Sequence, residues 1–266
     1  MAAALTRTLL DVPEALVELL IIGAVVAASV GLHAVLQRRF KTEVLRRHND
    51  VAGYLFSAVG VLYAVLLGFS VVVVWQKYDA TVANVQEEID AAGDLYHVVD
   101  GFAPADRTQI RSDLARYAQT VINVEWPAME RDQVVPETGT TLLNDATYRV
   151  DDASPANQRE VNAQQAAIVN AQRLLDARRQ RLIHAAPAVP VILWFALITG
   201  ALAMVAFCYI FGVENRPAQL LMTAILVGLI AILFAVIYEF ATPFSGSVTI
   251  SSEGWSFLAQ RLSEIK

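Results

Sequence analysis

Residues 51–75 read VAGYLFSAVGVLYAVLLGFSVVVVW and carry no charged side chain. Charged residues flank this stretch, with Asp50 before it and Lys77 shortly after it. At about 1.5 Å per residue, a helix of this length crosses the ~30 Å hydrocarbon layer of a bilayer with some tilt to spare. The stretch therefore predicts a transmembrane helix, and the other parts of the chain are arranged around it.

This helix has two neighbouring faces that differ in side-chain size. One face consists of small residues four positions apart: Gly60, Ala64 and Gly68. Small residues let the backbone of another membrane helix approach closely, so this face is a predicted packing surface. The next face carries a row of larger apolar side chains: Val61, Val65 and Phe69. That row either faces lipid beside the packing surface or has a more specific role.

The composition of the whole chain is typical of a membrane protein. Hydrophobic residues make up 56% of the 266 residues, whereas soluble domains contain nearer 45–50%. The formal net charge of −6 argues against nucleic acid as a partner. The single cysteine, Cys208, lies in an apolar run and is predicted to be a packing residue. One cysteine excludes a disulfide framework or a thiolate metal site within the chain.

Three further apolar runs predict three more membrane helices. The run at residues 16–36 has its own small residues four positions apart: Gly23, Ala27 and Gly31. This first helix is therefore predicted to pack backbone to backbone against the second. The third and fourth helices are predicted at about residues 189–210 and 220–238, joined by a tight turn.

The region at residues 76–187, between the second and third membrane helices, is polar and net acidic. Its apolar residues recur three and four positions apart, which predicts helices. The first such pattern, from Val82 to Val99, continues the second membrane helix without a break. The predicted fold class is all-α, with four transmembrane helices and a helical soluble domain inserted between the second and third. The predicted segments are 1–75 (two membrane helices), 76–187 (soluble domain), 188–240 (two membrane helices) and 241–266 (tail).

The tail ends in a predicted amphipathic helix. Its apolar face consists of Trp255, Leu258, Leu262 and Ile265. Such a helix either lies on the membrane surface or packs on the soluble bundle.

No catalytic pattern is present in the sequence. It has no glycine-rich phosphate loop, no G-x-S-x-G and no H-E-x-x-H, and its four histidines are scattered. His48, Asn49 and Asp50 are either ion ligands or the cap of the second helix. Four acidic residues after that helix form either a cation site or a solvated face: Glu87, Glu88, Asp90 and Asp94. We favour the cap and the solvated face, and we predict no enzyme activity, no cofactor and no metal site.

Two motifs resemble those of a known family. The segment RRHNDVAGYLFSAVGVLYAVLLGFSVVVVWQKYD, residues 46–79, and TPFSG, residues 242–246, resemble the bacterial bestrophin-like membrane proteins. A more distant resemblance connects the second helix with the bestrophin anion channels. It rests on a Gly-Phe pair followed by valines, aromatics and a basic residue: Gly68, Phe69, Trp75, Lys77 and Tyr78.

The resemblance implies a pentamer in which the second helices surround a pore for small anions. The Gly-Phe match places the apolar neck of that pore on Val61, Val65 and Phe69, and Lys77 at its wide end. The sequence differs from bestrophins in lacking the acidic calcium clasp after the fourth helix and the Arg-Phe-Pro motif. Val65 is also smaller than the aromatic residue that bestrophin necks carry in the middle. Calcium gating is therefore not expected.

The charge distribution and the resemblance predict opposite orientations in the membrane, which we expect to be the bacterial inner membrane. The short loop between the first two helices is basic: Arg38, Arg39, Lys41, Arg46 and Arg47. Such a loop is expected on the cytoplasmic side, which places the soluble domain outside. Bestrophins have this domain inside, and the arginines before the third helix favour that arrangement. We favour the outside position because a short, dense loop is the stronger topological signal.

Two classes of function fit this sequence. The first is a homo-oligomeric channel or pore in the lipid bilayer that conducts anions through an apolar neck. The second is a membrane-anchored sensor or scaffold whose helical domain binds a partner without conduction. A charge-free second helix with a continuous apolar face is compatible with both.

Overall fold

The structure is a computed structural model that describes residues 14–39 and 49–264. Within these residues every regular element is helical, so the predicted all-α class is confirmed. The α-helices are α1 (Glu14–Arg39), α2 (Asn49–Val98), α3 (Pro104–Thr120), α4 (Trp126–Glu130), α5 (Thr138–Asp152), α6 (Gln158–His184), α7 (Val191–Ile210), α8 (Arg216–Ala241) and α9 (Glu253–Glu264). A 3₁₀ turn, Val99–Gly101, follows α2, and a π-helical turn, Val121–Glu125, joins α3 to α4. Several residues named above lie outside the described part: Lys41, Arg46, Arg47, His48 and Ile265.

Four of the described helices, α1, α2, α7 and α8, are long and apolar enough to cross a membrane. This agrees with the four apolar runs of the sequence. The second of them, α2, is a single helix of 50 residues, about 75 Å long at the helical rise. It contains no proline, and it continues from the apolar stretch into the polar 82–99 pattern. The predicted continuity of this helix is therefore confirmed.

The chain divides into two compact units. The first consists of the described residues up to Gln76 together with Ala188–Ala241, and it contains the apolar helices. In this unit α1 packs mainly on α8. The expected contact of α1 with α2 through small residues is wrong within one chain, because a Cβ placed on Gly23 or Gly31 would meet open space. The sequence pattern located a surface suited to close packing without identifying its partner.

Helix α2 packs against α7 through a tyrosine that lies across a glycine. Tyr63 is buried, and its hydroxyl donates to the carbonyl oxygen of Leu197 at 3.1 Å. A Cβ placed on Gly200 would overlap the Tyr63 ring. Around this contact Leu67, Val74 and other apolar residues form the core of the first unit. Gly200 therefore leaves the space that the Tyr63 ring occupies against α7.

We expect Gly200→Ala to lower the stability of the first unit by about 1–3 kcal/mol, the usual cost of overpacking. The added methyl group would force the Tyr63 ring and its hydrogen bond out of position. The measurement is thermal unfolding in mild detergent, with Gly53→Ala of α2 as the control because its Cβ would meet open space and it lies outside the glycine rows. An unchanged midpoint for Gly200→Ala would contradict the close contact.

The second unit consists of Lys77–Pro187 and the described residues from Thr242 onward. Its core brings together α2, α3, α5, α6 and the tail helix α9. Trp255 of α9 is fully buried, with its ring centroid 5.5 Å from that of Tyr117. Upstream of α9, the Ile250 carbonyl oxygen accepts a hydrogen bond from Trp126 Nε1 at 3.2 Å. The tail helix α9 therefore packs on the helical bundle of the second unit, which is one of the two positions predicted for it.

Candidate pore-lining face and a buried charge network

One side of α2 is committed to packing within the first unit. Tyr63, Leu67, Ser70 and Val74, spaced three and four apart, are all buried. At the start of the same helix, Asn49 Nδ2 donates to the Gly212 carbonyl oxygen at 2.9 Å, and Gly212 N donates to Asn49 Oδ1 at 3.1 Å. The Asn49 amide is thus bonded to the turn between α7 and α8, which leaves the cap and ion-ligand interpretations of this residue without support.

The opposite side of α2 carries the predicted neck row. Val61, Val65 and Phe69 are 65%, 52% and 68% exposed. At about 100° per residue, they point roughly 160–240° away from Tyr63. The structure therefore places all three on one continuous face that no part of the described chain covers. A wall of a pore and a surface that contacts lipid both require this geometry.

The small residues are exposed in the single chain, with one exception. A Cβ on Gly60 would lie 3.3 Å from Met204 Cε of α7, so this residue already serves packing within the chain. Ala64 is exposed, and a Cβ on Gly68 would meet open space. On α1, Ala27 is exposed like its glycine neighbours. Apart from Gly60, these surfaces are free to pack against another copy of the chain.

Lys77 lies on a different side of α2 from the neck row. Its Nζ donates to the carbonyl oxygen of Ala186, beyond the end of α6, at 3.0 Å. Burial, together with the positive charge of Lys77, lowers the pKa of the nearby His184 imidazole. Counted at about 100° per residue, Lys77 points roughly 120° away from Val65. This geometry gives no support to a ring of lysines around the axis that the neck row would face.

The exposed side of α2 continues beyond the apolar stretch as an acidic surface. Glu87, Asp90 and Asp94 are exposed, and Arg173 of α6 pairs with Glu87 at 2.7 Å and with Asp94 at 3.3 Å. For these three carboxylates the solvated-face interpretation agrees with the structure. Within the described residues, no three His, Cys, Asp or Glu side chains come together as a metal site.

The fourth acidic residue, Glu88, is fully buried, so its assignment to the solvated face is wrong. Its carboxylate accepts two hydrogen bonds from Arg181 of α6, from Nε at 2.6 Å and from Nη2 at 3.0 Å. Tyr117 of α3 donates its hydroxyl proton to the same carboxylate. Burial, and then the charge of Glu88, raises the pKa of Tyr117 well above its ordinary value.

Glu125 joins this pair to a second arginine. Its carboxylate accepts from Arg181 Nη2 and from Arg178 Nη2, each at 2.6 Å. Glu125 is the last residue of the π-helical turn between α3 and α4. A Cβ on Gly139 of α5 would overlap the Glu125 carboxylate, so this network also requires a close approach by α5. Two carboxylates and two guanidinium groups balance their charges inside the second unit.

The sequence did contain a signal for this network. Glu88 is in phase with the buried residues Val85 and Ala92, three and four positions away. Arg178 and Arg181 likewise continue the buried stripe of Ala171 and Leu174. Charged residues in phase with an apolar stripe on two helices of one bundle predict a buried ion pair, because neither charge is stable in the core alone.

A family model matches most of this sequence, and solved structures of bacterial proteins resemble its fold. The family model described as Bestrophin-like domain matches residues 23–254. No curated protein is significantly similar in sequence. A crystal structure of a bacterial bestrophin homologue from Klebsiella pneumoniae with one isoleucine-to-threonine mutation is similar at 12% identity and a TM-score of 0.65, covering 90% of this chain and 99% of that one. Another, of the bacterial bestrophin homologue from K. pneumoniae solved by Zn-SAD phasing, has 12% identity and a TM-score of 0.63, covering 89% and 96%. At this identity the likeness concerns the fold.

Proposed function

Because the chain belongs to the bestrophin-like family, we propose that it forms a homo-oligomeric membrane channel whose α2 helices line the pore. Membership of this family supports a channel-type integral membrane protein, and five subunits are proposed by resemblance to bestrophins. The observation that carries the proposal is the exposed row of Val61, Val65 and Phe69. It lies opposite the side of α2 that packs within the chain, so copies of α2 can turn the row toward a shared axis while each chain remains folded.

Around such an axis the row makes three apolar rings. The residues are four apart, so the rings are about 6 Å apart along the helix. Water leaves a narrow apolar constriction readily, and an ion cannot cross without its hydration. The rings therefore form the gate of the proposed channel, which opens when they move apart.

Small anions are the proposed permeant ions because the bestrophin channels that α2 resembles conduct anions. Cations are the second candidate, and a specific observation favours them. Asp90 is exposed on the side of α2 that carries the neck row, counted at about 100° per residue, whereas Lys77 is bonded to Ala186. The reversal potential across a salt gradient in reconstituted bilayers distinguishes the two, because its sign differs for anion and cation selectivity.

We propose that the second unit is a soluble domain on the extracytoplasmic side of the bacterial inner membrane. Four arginines before the third membrane helix favoured the opposite orientation by sequence. Of these, Arg178 and Arg181 are buried against Glu88 and Glu125, and the more exposed Arg173 and Arg179 pair with acidic residues. They therefore add little free positive charge beside the membrane, and the basic loop after α1 is the stronger signal. We expect an impermeant thiol reagent to label Asp90→Cys on intact cells in a Cys208→Ser background. Labelling only after cell lysis would place the domain in the cytoplasm.

We expect the combined change Val61→Ala, Val65→Ala and Phe69→Ala to increase ion leak through reconstituted vesicles. Alanine widens all three rings, and most of the increase should come from Phe69 because the valines lose little volume. The measurement is flux at equal incorporation of the parent and variant proteins. The control is a triple alanine change at exposed residues of α7 and α8, Leu202, Leu221 and Leu229, which should leave flux unchanged.

Two outcomes would count against this proposal. Equal leak from the neck and control variants would place the row against lipid. No flux from any of the proteins, under any ion gradient or voltage, would remove the channel and leave a membrane-anchored scaffold whose second unit binds a partner.

A further inference from the structure

A buried polar network joins α1 to α8 within the first unit. His33 of α1 is fully buried, and Thr223 and Gln219 of α8 are 1% and 5% exposed. His33 Nδ1 lies 2.8 Å from Thr223 Oγ1, and Gln37 Nε2 lies 3.4 Å from His33 Nε2. Polar side chains are rare inside membrane helices and usually have a function. Most other residues of α1 and α8 are apolar, so these bonds provide directional contacts between the two helices.

The hydrogen-bond geometry of the network favours one position for the His33 proton. Thr223 Oγ1 donates its single proton to the Gln219 carbonyl oxygen at 3.1 Å. With the hydroxyl proton on that carbonyl, the Thr223 oxygen accepts from His33, whose proton is then on Nδ1. From the other side, Gln219 Nε2 donates to the Phe211 carbonyl oxygen, so Gln219 Oε1 is an acceptor. Gln37 Nε2 donates to that oxygen at 2.8 Å, which turns the NH₂ group of Gln37 toward His33 Nε2. In this arrangement both sides of the ring are satisfied by a neutral His33 whose Nε2 accepts a hydrogen bond.

We propose that His33 is a pH-sensitive latch that holds α1 on α8. A proton taken up from solvent would bind Nε2 and turn it into a donor that faces the NH₂ donor of Gln37. Rotating the Gln37 amide by 180° would place its Oε1 as an acceptor beside His33 Nε2. The same oxygen would then lie against Gln219 Oε1, which is also an acceptor, so that hydrogen bond would be lost. Every arrangement of the protonated ring therefore loses at least one buried hydrogen bond. Acidification loosens the C-terminal part of α1 from α8.

The groups around His33 do not compensate for this loss. Gln37, Thr223 and Gln219 are uncharged, and from α7 the Tyr209 ring lies 4.8 Å away, centroid to centroid. The Tyr209 hydroxyl is engaged by Ser29, donating to its carbonyl oxygen at 3.0 Å and lying 2.8 Å from its Oγ. Among the described residues around His33, the tyrosine ring is the neighbour that favours an imidazolium. The charged residues of these three helices lie toward the helix ends: Glu14, Glu18, Arg38, Arg39, Arg216 and Glu239.

The first test is nitrogen NMR of the full chain, labelled with ¹⁵N-histidine, in lipid bilayers. The chain has four histidines, and the signal absent from His33→Asn identifies His33. We expect the neutral Nδ1–H form near neutral pH, and conversion to imidazolium on acidification. An Nε2–H form near neutral pH would overturn the proposal, since Nε2 would then be the donor and Nδ1 the acceptor in these hydrogen bonds.

The second test compares the pH dependence of thermal unfolding. Asparagine at position 33 keeps a donor for Thr223 and does not titrate. Between neutral pH and about pH 5, below the ordinary histidine pKa of about 6.5, we expect the parent midpoint to fall further than that of His33→Asn. The extra fall should be about 2–4 °C for each hydrogen bond lost. His97→Gln, at an exposed histidine of the second unit, should behave like the parent. An equal fall in the parent and His33→Asn would overturn the latch, and neither test depends on conduction.

Discussion

Replacing Glu88 with leucine should lower the free energy of unfolding of the second unit by about 3–5 kcal/mol. The substitution leaves Arg181 buried with one carboxylate in place of two and removes the acceptor of the Tyr117 hydroxyl. The buried guanidinium of Arg181 keeps its full free-energy cost of desolvation. It loses the attraction of the Glu88 carboxylate, which had offset part of that cost. Arg181→Met should cause a loss of similar size for the same reason. The measurement is denaturant unfolding in mild detergent, followed by tryptophan fluorescence, since Trp126 and Trp255 are buried in this unit.

The double variant Glu88→Leu, Arg181→Met should be more stable than either single variant. It removes one charge of each sign and leaves Glu125 paired with Arg178 at 2.6 Å. Replacing a complete buried ion pair with apolar residues of similar volume is often close to neutral. A double variant whose loss equals the sum of the two single losses would contradict the direct coupling of these residues.

The chain offers a matched control for this experiment. Glu87 and Arg173 connect the same two helices, α2 and α6, by the same kind of ion pair, but both side chains are exposed. Exposed pairs gain little because water screens them. Glu87→Leu and Arg173→Met should therefore leave the unfolding transition almost unchanged, and a loss comparable to that of Glu88→Leu would mean that burial is not the cause.

Gly68→Leu should prevent or strongly weaken assembly of the oligomer. A Cβ at Gly68 meets open space in the single chain, so leucine leaves the fold of each copy intact. It would fill the surface on which we propose that another helix packs, because close approach depends on small residues. Gly60→Leu is a less informative probe, since Gly60 already contacts Met204 within the chain. The measurement is the mass of the particle in mild detergent and in lipid nanodiscs.

Ala206→Leu is the control for assembly. Ala206 is an exposed small residue of α7 outside the glycine rows, so the same increase in bulk should leave the oligomer intact. A parent protein that is monomeric in both environments would reject the homo-oligomer. An intact oligomer of Gly68→Leu would place the interface on another face.

The sequence predicted what depends on regular patterns along the chain. Apolar runs of sufficient length indicated the four described helices that are long and apolar enough to cross a membrane, and the spacing from Val82 to Val99 indicated that α2 continues without a break. The row of Val61, Val65 and Phe69 could be placed on one face because helical geometry alone determines it. These features need no knowledge of which helix touches which.

The incorrect predictions concern which helices and side chains contact each other within the chain. Gly23 and Gly31 suit close packing with any helix, so their pattern could not reveal that α1 packs on α8. The contacts of α1 instead involve single polar residues, such as His33 and Thr223, which are far apart in the sequence. Glu88 was assigned to solvent because it lies beside three exposed carboxylates. Its burial follows from the position of Arg181, 93 residues further along the chain.

The burial of Trp255 has a consequence for synthesis of the protein. The second unit begins at Lys77, but its core is complete only when the tail supplies Trp255 and Leu258. Ribosomes add about 5–20 residues per second, so the tail emerges several seconds after Pro187. During that interval α7 and α8 are made, and the surface of Tyr117 that later contacts Trp255 is uncovered. A nascent chain halted after α8 would therefore expose this apolar surface.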